Sequence, residues 1–64
     1  MTLGYFVTIK FRRDSGIPCT DKLEGVTQEE AIHHATMDAH VYRDPIVYPC
    51  NWQGYRTGPD IVIA

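Results

Sequence analysis

The six residues Val26-Thr27-Gln28-Glu29-Glu30-Ala31 constrain this chain more than any other stretch, because they spell a helix start almost in full. Thr27 can accept from the N–H of Glu30, Glu30 can reach back to the N–H of Thr27, and Val26 can pack on Ala31, which together make a capping box with a hydrophobic staple. In a chain of 64 residues, one such helix settles much of the core. A chain this short buries only about 60% of the surface it exposes when unfolded. A deep substrate pocket, roughly 300 Å³ or more, would compete with the packing that holds it together. Binding or self-association is thus expected ahead of catalysis, from one domain spanning residues 1–64.

Around the helix the pattern is that of strands. Residues 5–12 alternate, with Tyr5, Val7, Ile9 and Phe11 on one side and Phe6, Thr8, Lys10 and Arg12 on the other, the period of a half-buried strand. The first set is expected to face the core. Arg13-Asp14-Ser15-Gly16 then carries turn residues, and a second strand is expected over residues 19–26, with Cys19, Leu23 and Gly25 inward and Thr20, Lys22 and Glu24 outward. Asp21 breaks that alternation and is placed at a bulge or an edge, where Pro18 also fits. The helix is expected over residues 28–42, stopping before Asp44 because a residue preceding proline avoids the α region. A third strand begins at Ile46 and runs past Pro49 toward Trp52. The β-branched run Ile61-Val62-Ile63 suggests a fourth. The fold expected is α+β: a small antiparallel sheet of three or four strands, β-β-α-β with a possible final β, packed on one helix.

Helical periodicity places Ala31, Ile32, Ala35, Ala39 and Tyr42, with Gln28 at the start, on the stripe facing the sheet. His33, Met37, His40 and Val41 fall opposite, flanked by Glu30 and His34. That strip is semi-apolar, and methionine adapts to irregular partners, so it is a candidate protein contact or a homodimer seam. Trp52, Tyr55 and Arg56 are a second candidate, being the residue types most enriched at binding hot spots and lying among turn residues.

The net charge of −2 is unevenly spread. Lys10, Arg12 and Arg13 stand without an acid in residues 1–13, whereas Asp14, Asp21, Glu24, Glu29, Glu30 and Asp38 face Lys22 alone in residues 14–38. An acidic half of this kind disfavours nucleic acid and favours a partner with a basic surface, which makes Glu24, Glu29 and Glu30 candidate contacts. Phe6, Lys10 and Arg12, on the side of the first strand expected to be exposed, form the alternative: a small basic and aromatic face for nucleic acid.

Other chemistries are not expected. His33, His34, Asp38 and His40 suggest a metal, but His33 and His40 stand about 10 Å apart along a helix, and structural zinc takes four ligands. No metal or cofactor is therefore assigned. Cys19 and Cys50 each follow a proline, and neither sits at a helix start that would activate a thiol. They are expected as free thiols in or near the core, and no catalytic residue is assigned. No signal-peptide pattern or membrane span stands out, so a cytoplasmic location is expected.

In size and in the order strand, turn, strand, capped helix with Gln28-Glu29-Glu30-Ala31-Ile32, strand, the chain resembles the small host-takeover proteins that bacteriophages encode to bind and disable host enzymes. The resemblance implies a non-enzymatic inhibitor or adaptor, for example of RNA polymerase or a nucleic-acid enzyme. It transfers no functional residue.

Overall fold

A β-branched and aromatic run, Gly4–Arg12, forms the central strand β1 of a three-stranded antiparallel sheet in the computed structural model, which describes residues 2–63. Strand β2 is Pro18–Val26, helix α1 is Gln28–Thr36 and strand β3 is Tyr42–Cys50, with sheet order β2-β1-β3. This is the α+β layout, β-β-α-β, that the residue pattern implies. The first turn closes as its residues suggest: Gly16 N–H donates to Arg12 O at 2.8 Å, Arg12 N–H to Ile17 O at 3.0 Å, and Gly16 takes a φ of 68° that side chains disfavour. The bulge in β2 falls at Gly25 rather than Asp21. Asp21 pairs regularly with Thr8, whereas Gly25, at φ 67°, is the extra residue between Glu24 opposite Tyr5 and Val26 opposite Gly4.

The helix begins where expected, with Thr27 Oγ1 accepting from Glu30 N–H at 3.2 Å. Among the described residues the Glu30 side chain makes no return bond, so half of the capping box forms. The other end is a correction: α1 stops at Thr36, six residues short of the expected 42. Thr36 donates its hydroxyl to Ile32 O and His33 O, residues 37–41 turn, and both Val41 and Tyr42 N–H groups donate to Asp38 O at 2.9 Å. Tyr42 accordingly opens β3, and Gln28 and Ala39, expected on the buried stripe, are exposed.

The phase of β1 is also reversed. Ala31 and Ala35 of α1 pack on Val47 of β3, surrounded by Phe6, Leu23, Val26, Ile61 and Ile63. Phe6, Thr8 and Lys10 therefore face the helix, and Thr8 and Lys10 are 0% and 5% exposed. Lys10 belongs there because a helix C-terminus presents unsatisfied carbonyls and a partial negative charge. Its ammonium donates to His34 O at 3.1 Å, lies 3.8 Å from Asp38 Oδ2 and sits 5.2 Å from the centre of the Tyr42 ring. Arg13 Nε donates to Ala39 O, in the turn that follows α1, at 3.0 Å.

The expected fourth strand is reduced to two isolated bridges, Cys50 with Arg56 and Val47 with Ile61. They bring residues 56–61 along the outer edge of β3, where Ile61 and Ile63 close the core. The approach requires glycine at 58, since a Cβ there would lie 2.9 Å from Pro49 Cγ. At the start of β3 Asp44 takes a φ of 49° at the register slip opposite Ile9–Phe11, a left-handed conformation that aspartate adopts more readily than most residues with a Cβ.

Candidate functional site

Register places Tyr5, Val7, Lys22 and Tyr48 on the sheet face away from α1, because Val7 pairs with Lys22 and Tyr48 while Phe6 and Leu23 pair on the helix side. Val7 and Cys50 on that face are nonetheless buried. Against that face runs the segment after β3, with Arg56 on the Tyr48 ring and bridged to Cys50. Residues 51–55 close on themselves: Asn51 Oδ1 accepts from Gln53 N–H at 2.9 Å and Tyr55 N–H at 3.0 Å, Asn51 N–H donates to Tyr55 O, and Gly54 N–H to Asn51 O. Gly54 supplies the required φ of 93°. Lys22 reaches across from β2 and donates to Trp52 O, tying the loop to the opposite edge of the sheet.

On this scaffold Trp52 is 65% and Tyr55 69% exposed. Beside them the Arg56 guanidinium stacks 3.8 Å from the centre of the Tyr48 ring and bonds Asp60 at 2.6 Å. The Lys22 ammonium lies 5.6 Å over Tyr5 and 3.3 Å from Glu24. Trp52, Tyr55, Arg56 and Glu24 thus share one side of the molecule. Tyr5 and Lys22, which the residue pattern put respectively in the core and among the outward residues of the second strand, join them. Only cross-strand register brings these two together, although the triad Tyr5, Lys22, Glu24 on neighbouring strands carries the signal once the hairpin is drawn.

Glu29, Glu30, His33, Met37 and His40 are exposed on the helix side, with Val41. The expected partner contacts are therefore divided between the two sides of the sheet. The nucleic-acid face is not assembled: Phe6 and Lys10 point under the helix, and Arg12 alone is exposed, bonding Asp14 at 3.1 Å. Five ion pairs, Lys10–Asp38, Arg12–Asp14, Lys22–Glu24, Arg43–Asp44 and Arg56–Asp60, leave Asp21, Glu29, Glu30 and Arg13 outside any pair among the described residues. Of the six acids in residues 14–38, Asp14 and Asp38 are paired with cations of β1 and Glu24 with Lys22 beside it on β2.

Both cysteines are free. Cys50 is buried, but Cys19 is exposed, because the outer strand β2 extends past the cover of the short helix. Among the described residues no three His, Cys, Asp or Glu side chains converge as metal ligands, and no helix is long and apolar enough to cross a membrane. No family model, curated protein or solved structure matches the chain.

Proposed function

We propose that the chain is a small non-enzymatic protein-binding domain, an inhibitor or adaptor that docks on its partner through residues 51–56. One observation carries this reading: Trp52 and Tyr55 are held outward by a loop whose own hydrogen bonds are already made. Aromatic anchors on a pre-ordered backbone lose little entropy on docking, and Trp, Tyr and Arg are the types that dominate binding energy. The surrounding charges, Lys22, Arg56, Glu24 and Asp60, are balanced in sign. That balance supports a partner of mixed charge and a role for these residues in register and approach rather than in bulk attraction. Host takeover by a phage, with a bacterial enzyme such as RNA polymerase as target, is the setting that the size and layout suggest.

The test immobilises the purified protein in bacterial lysate beside Trp52→Ala and Glu29→Lys baits. The expected result is one protein retained at a fixed ratio by wild type and Glu29→Lys and lost with Trp52→Ala. Retention indifferent to Trp52 but abolished by Glu29→Lys would move the interface to the helix side.

A further inference from the structure

The two edges of the sheet are unequal. Residues 56–61 run beside the outer edge of β3, whereas no strand lies beyond β2, and among the described residues no backbone–backbone hydrogen bond reaches Thr20, Lys22 or Glu24 from outside the sheet. We propose that the open edge of β2 pairs with the same edge of a second copy of the chain, antiparallel and centred on Leu23, to make a continuous six-stranded sheet. This assignment does not rest on the Trp52 loop as a docking site.

The ladder between β1 and β2 fixes which backbone groups are free. Arg12 gives its N–H to Ile17 O at 3.0 Å and accepts from Gly16 N–H at 2.8 Å, and the register then runs without a slip from Phe11 opposite Pro18 to Tyr5 opposite Glu24. Successive residues of an antiparallel strand turn their backbone groups to alternate sides. Cys19, Asp21 and Leu23, opposite Lys10, Thr8 and Phe6, therefore bond to β1, and Thr20, Lys22 and Glu24 turn theirs outward. The usual guards of a free edge stand at its ends, Pro18 with no N–H to give and Gly25 at the bulge. Between them residues 19–24 keep regular register, and all but the half-buried Leu23 are exposed.

Two such edges pair antiparallel about a two-fold axis perpendicular to the sheet, so that residues facing the same side meet. Charge then selects the register. Centring on Asp21 sets that carboxylate against its own copy, and centring on Lys22 does the same for the ammonium, each a like-charge opposition that is destabilising. Centring on Thr20 places Pro18 opposite Lys22, where a donor is missing. Centring on Leu23 places Lys22 opposite Glu24 of the second copy, twice over. Lys22 and Glu24 already lie 3.3 Å apart within one chain, so the four side chains close a ring of alternating sign on the face away from α1. On the helix side Leu23, which packs against the core, meets its own copy and covers its remaining apolar surface. Lysine guards an edge while its charge goes unanswered, and here the second copy supplies the answer.

Sedimentation of the purified chain from about 10 μM to 1 mM, a range suited to a small interface, should show monomer passing into dimer. Lys22→Glu and Glu24→Lys should each raise the dissociation constant about tenfold or more, because each sets like charges opposite one another, with circular dichroism checking that both variants fold. Each variant also breaks the ion pair within its own chain, so the equimolar mixture is decisive. There the acid introduced at position 22 faces the lysine introduced at position 24, Glu24 faces Lys22, and every contact across the axis is between opposite charges. The mixture should associate at least as tightly as wild type. In wild type, the Lys22 and Glu24 amides should exchange with solvent several-fold more slowly at about 1 mM than at about 0.1 mM. A wild type monomeric throughout, variants that associate as wild type does, a mixture no tighter than its components, or exchange at Lys22 and Glu24 indifferent to concentration would each overturn the assignment.

Discussion

The two faces of the sheet meet different elements. Under α1, small side chains do the work: Ala31 and Ala35 let the helix lie close on Val47 and Thr8, and the polar Lys10 is accepted because the helix end needs its charge. On the other face, residues 51–56 form a loop held by its own hydrogen bonds and by contacts to Lys22 and Tyr48, and its two large aromatic rings are exposed. A face sealed by regular structure keeps its apolar groups for itself. A face flanked by a self-bonded loop leaves them for something else. Stability and recognition should therefore separate, the first residing under α1 and the second on the loop.

Val47→Ala should show the largest effect, lowering stability by about 2 to 3 kcal/mol through a cavity beneath Ala31 and Ala35, as measured by urea unfolding. Lys10→Ala should lose about 2 kcal/mol, since the His34 carbonyl gives up a charged donor in a buried place. A wild-type midpoint for that variant would mean that the helix end is satisfied by water and that the two faces differ less than their contacts suggest. Thr27→Ala should cost about 1 kcal/mol by removing the acceptor for Glu30 N–H. The smallest effect is expected at Trp52→Ala, within about 0.5 kcal/mol of wild-type stability, while binding to the captured partner falls by about 2 kcal/mol or more. Were Trp52→Ala to unfold the protein as Val47→Ala should, the loop would be a second core and both faces would serve stability.

What could be read in advance is what the chain encodes locally. The cap at Thr27 depends on a residue three positions away, and the turn at residues 13–16 on four neighbours. Trp52, Tyr55 and Arg56 could be singled out by residue type alone. The phase of β1 was not legible, because each of its faces holds buried residues, Val7 on one and Thr8 and Lys10 on the other, and alternation only records that Tyr5, Val7, Ile9 and Phe11 share a side. What turns Lys10 under the helix is a carbonyl 24 residues distant. The early end of α1 has the same origin, since Lys10 stabilises the His34 carbonyl, which a longer helix would have satisfied itself. The fourth strand failed for a steric reason. Gly58 must press against Pro49 and two prolines interrupt β3, so residues 56–61 touch its edge at isolated points rather than as a ladder.

The strand order β2-β1-β3 also sets a schedule for a chain leaving the ribosome. β1 is both the earliest strand and the middle one, so the β1–β2 hairpin can close on local contacts once residue 26 has emerged. Phe6 and Leu23 then stay wet until α1 and β3 arrive, because those pairings span far more of the sequence. At about 5–20 residues per second, completing β3 takes roughly one to five seconds more, an interval in which the hairpin's apolar side is open to chaperones and to other nascent chains.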